Sequence, residues 1–216
     1  MSKKVLFLFS ELSDYMLYVF QKAQIEGYEI HVVRYPINSE APFEFMLNDK
    51  VKLYKRGEYN SNSILNLINE INPKVIFVSG WIDKNYLKAI KNISFKCKKV
   101  MLLDTPWKGR FKQHILVLLN KVVSNRIFDA IWVPGDLQKK YALKLGFDKS
   151  DIFKGLYCCN TELFRKFYIN SKKKNNKKRF LYIGRYIRSK GIFELWNSFI
   201  NIAEKENKSW ELWCVG

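Results

Sequence analysis

The stretch KVLFLFSELSDYMLYVFQKAQIEGYEIHVVRY, residues 4–35, decides the fold. Residues 4–10 hold an unbroken apolar run, Val5 to Phe9, as a strand buried on both faces requires. Residues 11–27 carry helical apolar spacing and stop at Gly27, a residue suited to ending a helix. Residues 29–35, EIHVVRY, are again rich in β-branched side chains. Strand, helix and strand in this order predict two parallel strands joined by a crossover helix.

The alternation continues outward from there. Strands are expected over 51–56, 74–80, 98–104, 129–135 and 151–157, and helices over 62–71, 83–92, 111–128 and 136–146. A polar asparagine or serine opens the 62–71 helix, Asp136 is placed as the N-cap of the last one, and Gly146 follows it as its C′ residue. Pro36 and Pro42 break any pattern over 36–49, which reads as a loop. The fold class is α/β: a Rossmann-like, mostly parallel sheet with helices on both faces. Such sheets bind ligands beyond the carboxyl ends of their strands. The loops that matter follow Ser10, Tyr35, Gly80, Asp104, Gly135 and Gly184.

Several side chains in those loops suit the binding of hydroxylated ligands. In SELSDY, Glu11, Asp14 and Tyr15 are candidates, though acids there also favour a helix dipole. Arg34 and Glu40 flank the loop after the second strand. In LLDTPWKGR, Asp104 ends a central strand and Trp107 offers a ring that could stack on a sugar face. Asp104 could equally cap its own turn.

Composition bounds the rest. The 216 residues are 48% hydrophobic and 16% aromatic, ample for a core. No run reaches the ~18 apolar residues of a membrane span. No signal-peptide pattern stands at the start, so a cytoplasmic location is expected. Cys97, Cys158, Cys159 and Cys214 lack metal-ligand spacing and are expected to be reduced thiols, with no metal and no cofactor. Net charge is +18, and from Lys84 to Arg126 the only acid is Asp104. Anionic lipid, nucleic acid or a phosphorylated substrate would each suit that charge. The segment FKQHILVLLNKVVSNR combines an apolar stripe with Lys112, Lys121 and Arg126, and suits either a core or the face of an anionic membrane. No known nucleic-acid module is legible, so no nucleic acid is expected.

After the basic, polar stretch 168–178, expected to be a linker, comes one more strand, helix and strand over 179–216. In GRYIRSKG, Gly184 ends the strand and Arg185 carries a planar fork suited to a diphosphate. Lys190 and Gly191 stand at the start of the helix, where a phosphate would meet unpaired amides. Two cations in such a loop are otherwise a solvated turn.

This last segment resembles the opening of the second domain of group 1 (family 4) retaining glycosyltransferases, which have the GT-B fold. Gly184-Arg185, Lys190-Gly191 and Val215-Gly216 stand where that family carries Gly-Arg, Lys-Gly and the Val-Gly after the next strand. Residues 132–164 resemble the end of its first domain more weakly, with Asn160 where an aspartate is usual. The strand end with Asp104 stands where many members carry a histidine, and the paired glycines usual after the first strand are absent.

The resemblance implies an acceptor-side domain over 1–167, the linker, and the first βαβ unit of a nucleotide-sugar-binding domain over 179–216. It implies that Gly184, Arg185, Lys190 and Gly191 hold the donor's diphosphate and that the acceptor is a glycan or lipid-linked molecule. It also implies work in bacterial surface polysaccharide synthesis, peripheral at the inner face of the membrane. The family's donor-holding glutamate segment would lie past Gly216, so a truncated chain of little activity is expected. A non-enzymatic basic module binding lipid or nucleic acid is the alternative.

Overall fold

A computed structural model describes residues 3–37, 50–122, 127–170, 178–206 and 210–216. Glu40 and most of the expected linker lie outside the described residues. The chain divides into two compact units, the first ending at Asn160 and the second beginning at Thr161.

The first unit holds β1 (Lys3–Leu8), α1 (Asp14–Ile25), β2 (Tyr28–Arg34), β3 (Val51–Lys55), α2 (Ser61–Ile71), β4 (Val75–Ser79) and α3 (Lys84–Lys91). It continues with β5 (Lys98–Leu102), α4 (Phe111–Val122), β6 (Ala130–Val133), α5 (Asp136–Lys144) and β7 (Ile152–Lys154). All seven strands run parallel in the order β3-β2-β1-β4-β5-β6-β7. The order reverses between β1 and β4, and a crevice opens at such a point.

The apolar run of β1 divides by period two. Leu6 and Leu8 face α2, α3 and α5, which bury Ile64, Ile68, Tyr86, Ile90 and Tyr141 on that side. Val5, Phe7 and Phe9 face α1, whose Met16 and Phe20 complete the other core. Phe7 lies 4.8 Å from both Phe20 and Phe77, measured between ring centroids. Full burial of each such ring stabilises by about 1.5–3 kcal/mol.

Some expected boundaries move. The helix after β1 begins at Asp14, not at residue 11, and leaves residues 9–13 free to shape the crevice. Asp136 is the first helical residue and Gly135 the N-cap. Instead of capping, the Asp136 carboxylate pairs with Lys154 at 3.1 Å. The described part of α4 ends at Val122, and Phe128, expected in that helix, lies non-helical in the core. The Asn60 cap is present, with its side chain accepting from the Asn62 and Ser63 amides.

A buried ion pair supports the sheet's end. Asp83 caps α3 and accepts from the Asn85 and Tyr86 amides, from Tyr35 at 2.9 Å, and from both Arg56 Nε at 2.5 Å and Arg56 Nη2 at 3.1 Å. Burial alone would raise the Asp83 pKa; those donors outweigh it and hold the carboxyl below its usual range.

The second unit holds α6 (Thr161–Asn170), β8 (Arg179–Ile183), α7 (Ile192–Glu206) and β9 (Glu211–Val215). The strands pair in parallel from Arg179↔Glu211 to Ile183↔Val215. Helix α6 overlaps the first residues of the expected linker, because Leu163, Phe164, Phe167 and Tyr168 keep helical spacing through them. Among the described residues no helix is long and apolar enough to cross a membrane.

Candidate functional site

In the first unit a cleft of about 400 Å³ opens at the carboxyl ends of β1, β4 and β5. This is where the strand order reverses. Its floor and walls include Ser10, Ser79, Asp104, Tyr15 and Tyr157.

The backbone around it is tightly held. The Ser10 amide donates to Ser79 Oγ at 2.8 Å, and the buried Tyr86 hydroxyl donates to the Phe9 carbonyl at 3.1 Å. Gln113 is buried and braces the loop after β5: its Oε1 accepts from the Lys108 amide at 2.9 Å, and its Nε2 donates to the Pro106 carbonyl at 2.9 Å. A second amide side chain, Gln138 Nε2, donates to the Asp104 carbonyl at 2.9 Å.

Asp104 itself is exposed and accepts from the Tyr157 hydroxyl at 3.0 Å. The Tyr157 ring stands edge-on to Tyr15 at 4.8 Å. Partial burial, with the acceptor carboxylate beside it, pushes the Tyr157 phenol well up, so it stays a donor. The arrangement offers one carboxylate acceptor, one phenol donor and aromatic faces, a set suited to a polyhydroxylated ligand.

Of the residues expected from sequence, Glu11, Tyr15 and Asp104 come together in this cleft. Asp14 starts α1. Arg34 ends β2 in register with Lys55 and is not part of the cleft lining. Trp107 is outside the lining too. Its ring lies 4.8 Å from His114 and 5.3 Å from Tyr141, with the Lys144 ammonium 5.0 Å from its centroid, so the ring is engaged in packing.

Tyr157, Ser79, Trp81 and Gln113 were not expected. The signal for Tyr157 was its place at the carboxyl end of the strand expected over 151–157. Gln113 carried none, since a glutamine in a helix's first turn reads as surface.

The second unit carries the loop from Gly184 to Gly191. The Gly184 amide donates to Val215 O at 2.9 Å, and the Tyr182 hydroxyl to Arg185 O at 2.9 Å. A turn over Arg188–Lys190 leads to Gly191, whose φ of 70° is left-handed, and α7 follows. A Cβ on Gly216 would stand 2.3 Å from the Gly184 carbonyl, so the two strand ends approach closer than any side chain permits. Lys190 is exposed at the amino end of α7, and Arg185 is partly buried at the end of β8. Lys190 stands just before α7, whose leading amides favour an anion.

No protein-family model matches the chain, and no curated protein matches it in sequence. Solved structures do match in fold. A protein assigned as a UDP-N-acetylglucosamine 2-epimerase from Listeria monocytogenes superposes with a TM-score of 0.61 at 16% identity, over 99% of this chain and 62% of that one. A glycosyltransferase from Rickettsia africae ESF-5 gives 0.58 at 11% identity, over 100% and 69%. An α-glucosyltransferase in complex with UDP-glucose and DNA gives 0.55 at 14% identity, over 100% and 68%. The chain thus spans about two thirds of the length of the structures it resembles. These likenesses show the fold: an α/β, Rossmann-like architecture of GT-B type.

Proposed function

We propose that the chain is the acceptor-side domain, with the opening of the donor-side domain, of a retaining glycosyltransferase. It would move a sugar from a nucleotide sugar to a glycan or lipid-linked acceptor, in bacterial surface polysaccharide synthesis. The carrying observation is the pairing, in one GT-B-type chain, of a cleft holding Asp104 and Tyr157 with a cationic loop at the amino end of α7. Two structural neighbours of this fold were solved with UDP-GlcNAc or UDP-glucose bound, which supports a nucleotide-sugar donor.

The chemistry follows from charge. The bond between the anomeric carbon and the diphosphate oxygen breaks, the acceptor oxygen bonds to that carbon, and the acceptor's proton passes to the departing diphosphate, on which negative charge grows as the bond breaks. Arg185, Lys190 and the first amides of α7 are the groups to receive it. A preorganised donor aimed at developing charge is worth ~2.7–4 kcal/mol. Asp104 would accept from the acceptor hydroxyl and orient it, with Tyr157 holding the carboxylate in place.

The test is ligand-observed NMR with UDP-glucose, UDP-GlcNAc and inorganic pyrophosphate, followed by product analysis. Saturation transfer to UDP-glucose and UDP-GlcNAc, displaced by inorganic pyrophosphate and weakened in Arg185→Ala and Lys190→Ala, is expected. Release of a sugar inverted at C2 with nothing transferred would turn the reading to an epimerase. No saturation transfer to either nucleotide sugar would remove it.

A further inference from the structure

Helix α4 wears its apolar stripe on the outside. Phe111, Ile115, Leu118 and Leu119 stand at helical spacing on one face and are 79%, 39%, 64% and 53% exposed. The inward face is secured by other residues: the buried Gln113, and Val117 against the core. A soluble surface helix turns its stripe inward, and contiguous exposed apolar surface marks an interaction site.

The surroundings select the partner. Lys108, Arg110 and Lys112 are exposed beside the stripe, and residues 105–122 contain no acid. Two copies meeting through this face would bring those cations together unpaired. A polyanion such as RNA would use the cations and leave the apolar stripe idle. An anionic bilayer uses both, with side chains entering the acyl boundary and cations held at the headgroups.

We infer that α4 docks this protein on the surface of a membrane containing anionic lipid, with Phe111, Leu118 and Leu119 inserted and Lys108, Arg110 and Lys112 at the headgroups. Leu116 of the same helix and the 79% exposed Ile82 both line the cleft. The docked bilayer therefore lies along the cleft's rim. This inference stands on α4 alone and does not depend on the transferase reading.

Flotation with vesicles of phosphatidylcholine alone, and of equimolar phosphatidylcholine and phosphatidylglycerol, tests it. The full chain is expected to float with the anionic vesicles and to be released toward ~1 M salt, where the screening length falls to about 3 Å. Leu118→Glu/Leu119→Glu should lower the partition coefficient about a hundredfold or more. Lys108→Ala and Lys112→Ala should each lower it about fivefold. These residues are exposed, so an unchanged Tm identifies folded variants, and the lysine pair keeps the test open should the leucine variant not fold.

Fluorescence of Leu118→Trp, quenched by brominated acyl chains, should report insertion. Equal binding to both vesicles, or undiminished binding by the leucine variant, would overturn the inference. So would a dimer abolished by that variant, or tight RNA binding, in the absence of any vesicle binding.

Discussion

The Tyr157 phenol donates a 3.0 Å hydrogen bond to the Asp104 carboxylate, joining the segment after β7 to the end of β5. The phenol is pushed well above its ordinary pKa and remains a donor across the neutral and mildly alkaline range. Tyr157→Phe keeps the ring against Tyr15 but leaves the carboxylate without that donor. Hydrogen bonds to charged groups contribute about 1.5–3 kcal/mol. Under the proposed function, transfer should fall about tenfold or more, mainly through the acceptor and with the donor KM little changed. An equal effect on both substrates would detach Asp104 from the acceptor.

The Arg56–Asp83 pair predicts a stability effect remote from the cleft. Both residues are buried, so Asp83→Ala strands a guanidinium and should cost about 3–5 kcal/mol by urea unfolding. The Asp83 pKa is lower folded than unfolded. Its contribution is therefore complete above about pH 5 and is lost as pH falls through the usual carboxylate range toward the lowered value. The gap between wild type and Asp83→Asn should narrow at pH 3; a gap that widened there would contradict the assignment. Part of the cost comes from an unpaired charge, and Arg56→Met/Asp83→Leu should recover that part while the α3 cap and the Tyr35 hydrogen bond stay lost.

The sheet was legible because β1, β4 and β5 are apolar on both faces. Residues 4–10 could not serve an antiparallel sheet open to water, and α1 and α5 stop at Gly27 and Gly146, both at positive φ. What escaped was shorter in range than that pattern. The start of α1 depends on the turn over residues 9–13, which no apolar spacing marks. Asp136 looked like a cap, but Gly135 supplies the extended backbone a cap needs, and Lys154 claims the carboxylate. In the cleft, Asp104 and Tyr15 were visible as polar residues at strand ends. Trp107 looked available from sequence because nothing there announced His114, Tyr141 and Lys144 closing around it.

The thiols separate by burial. Burial pushes the Cys97 thiol up to about 11, so at pH 8 only about one molecule in a thousand carries the thiolate. Cys159 is exposed. Iodoacetamide followed by peptide mapping should modify Cys159 at least ~100-fold faster, with Cys97 reacting only on unfolding. Comparable rates would show that the α2–α3 side of the core opens readily.

The loop after β8 separates backbone from charge. Gly191 has φ 70°, yet the nearest atom to an added Cβ is a glutamate oxygen 4.0 Å away, so Gly191→Ala meets strain and not collision. A non-glycine residue there costs roughly 1–2 kcal/mol, and the second unit should lose about that in hydrogen-exchange stability. Arg185→Ala and Lys190→Ala each remove a cation and leave the loop's glycines in place. Under the proposed function each should cut turnover about a hundredfold or more, in a form of the protein that transfers sugar. Arg185→Lys restores the charge without the planar fork and should recover only part of the loss. Full recovery by lysine would mean that Arg185 acts as a point charge and leaves the two-pronged grip to other groups. Unchanged turnover in both alanine variants would remove the diphosphate from this loop.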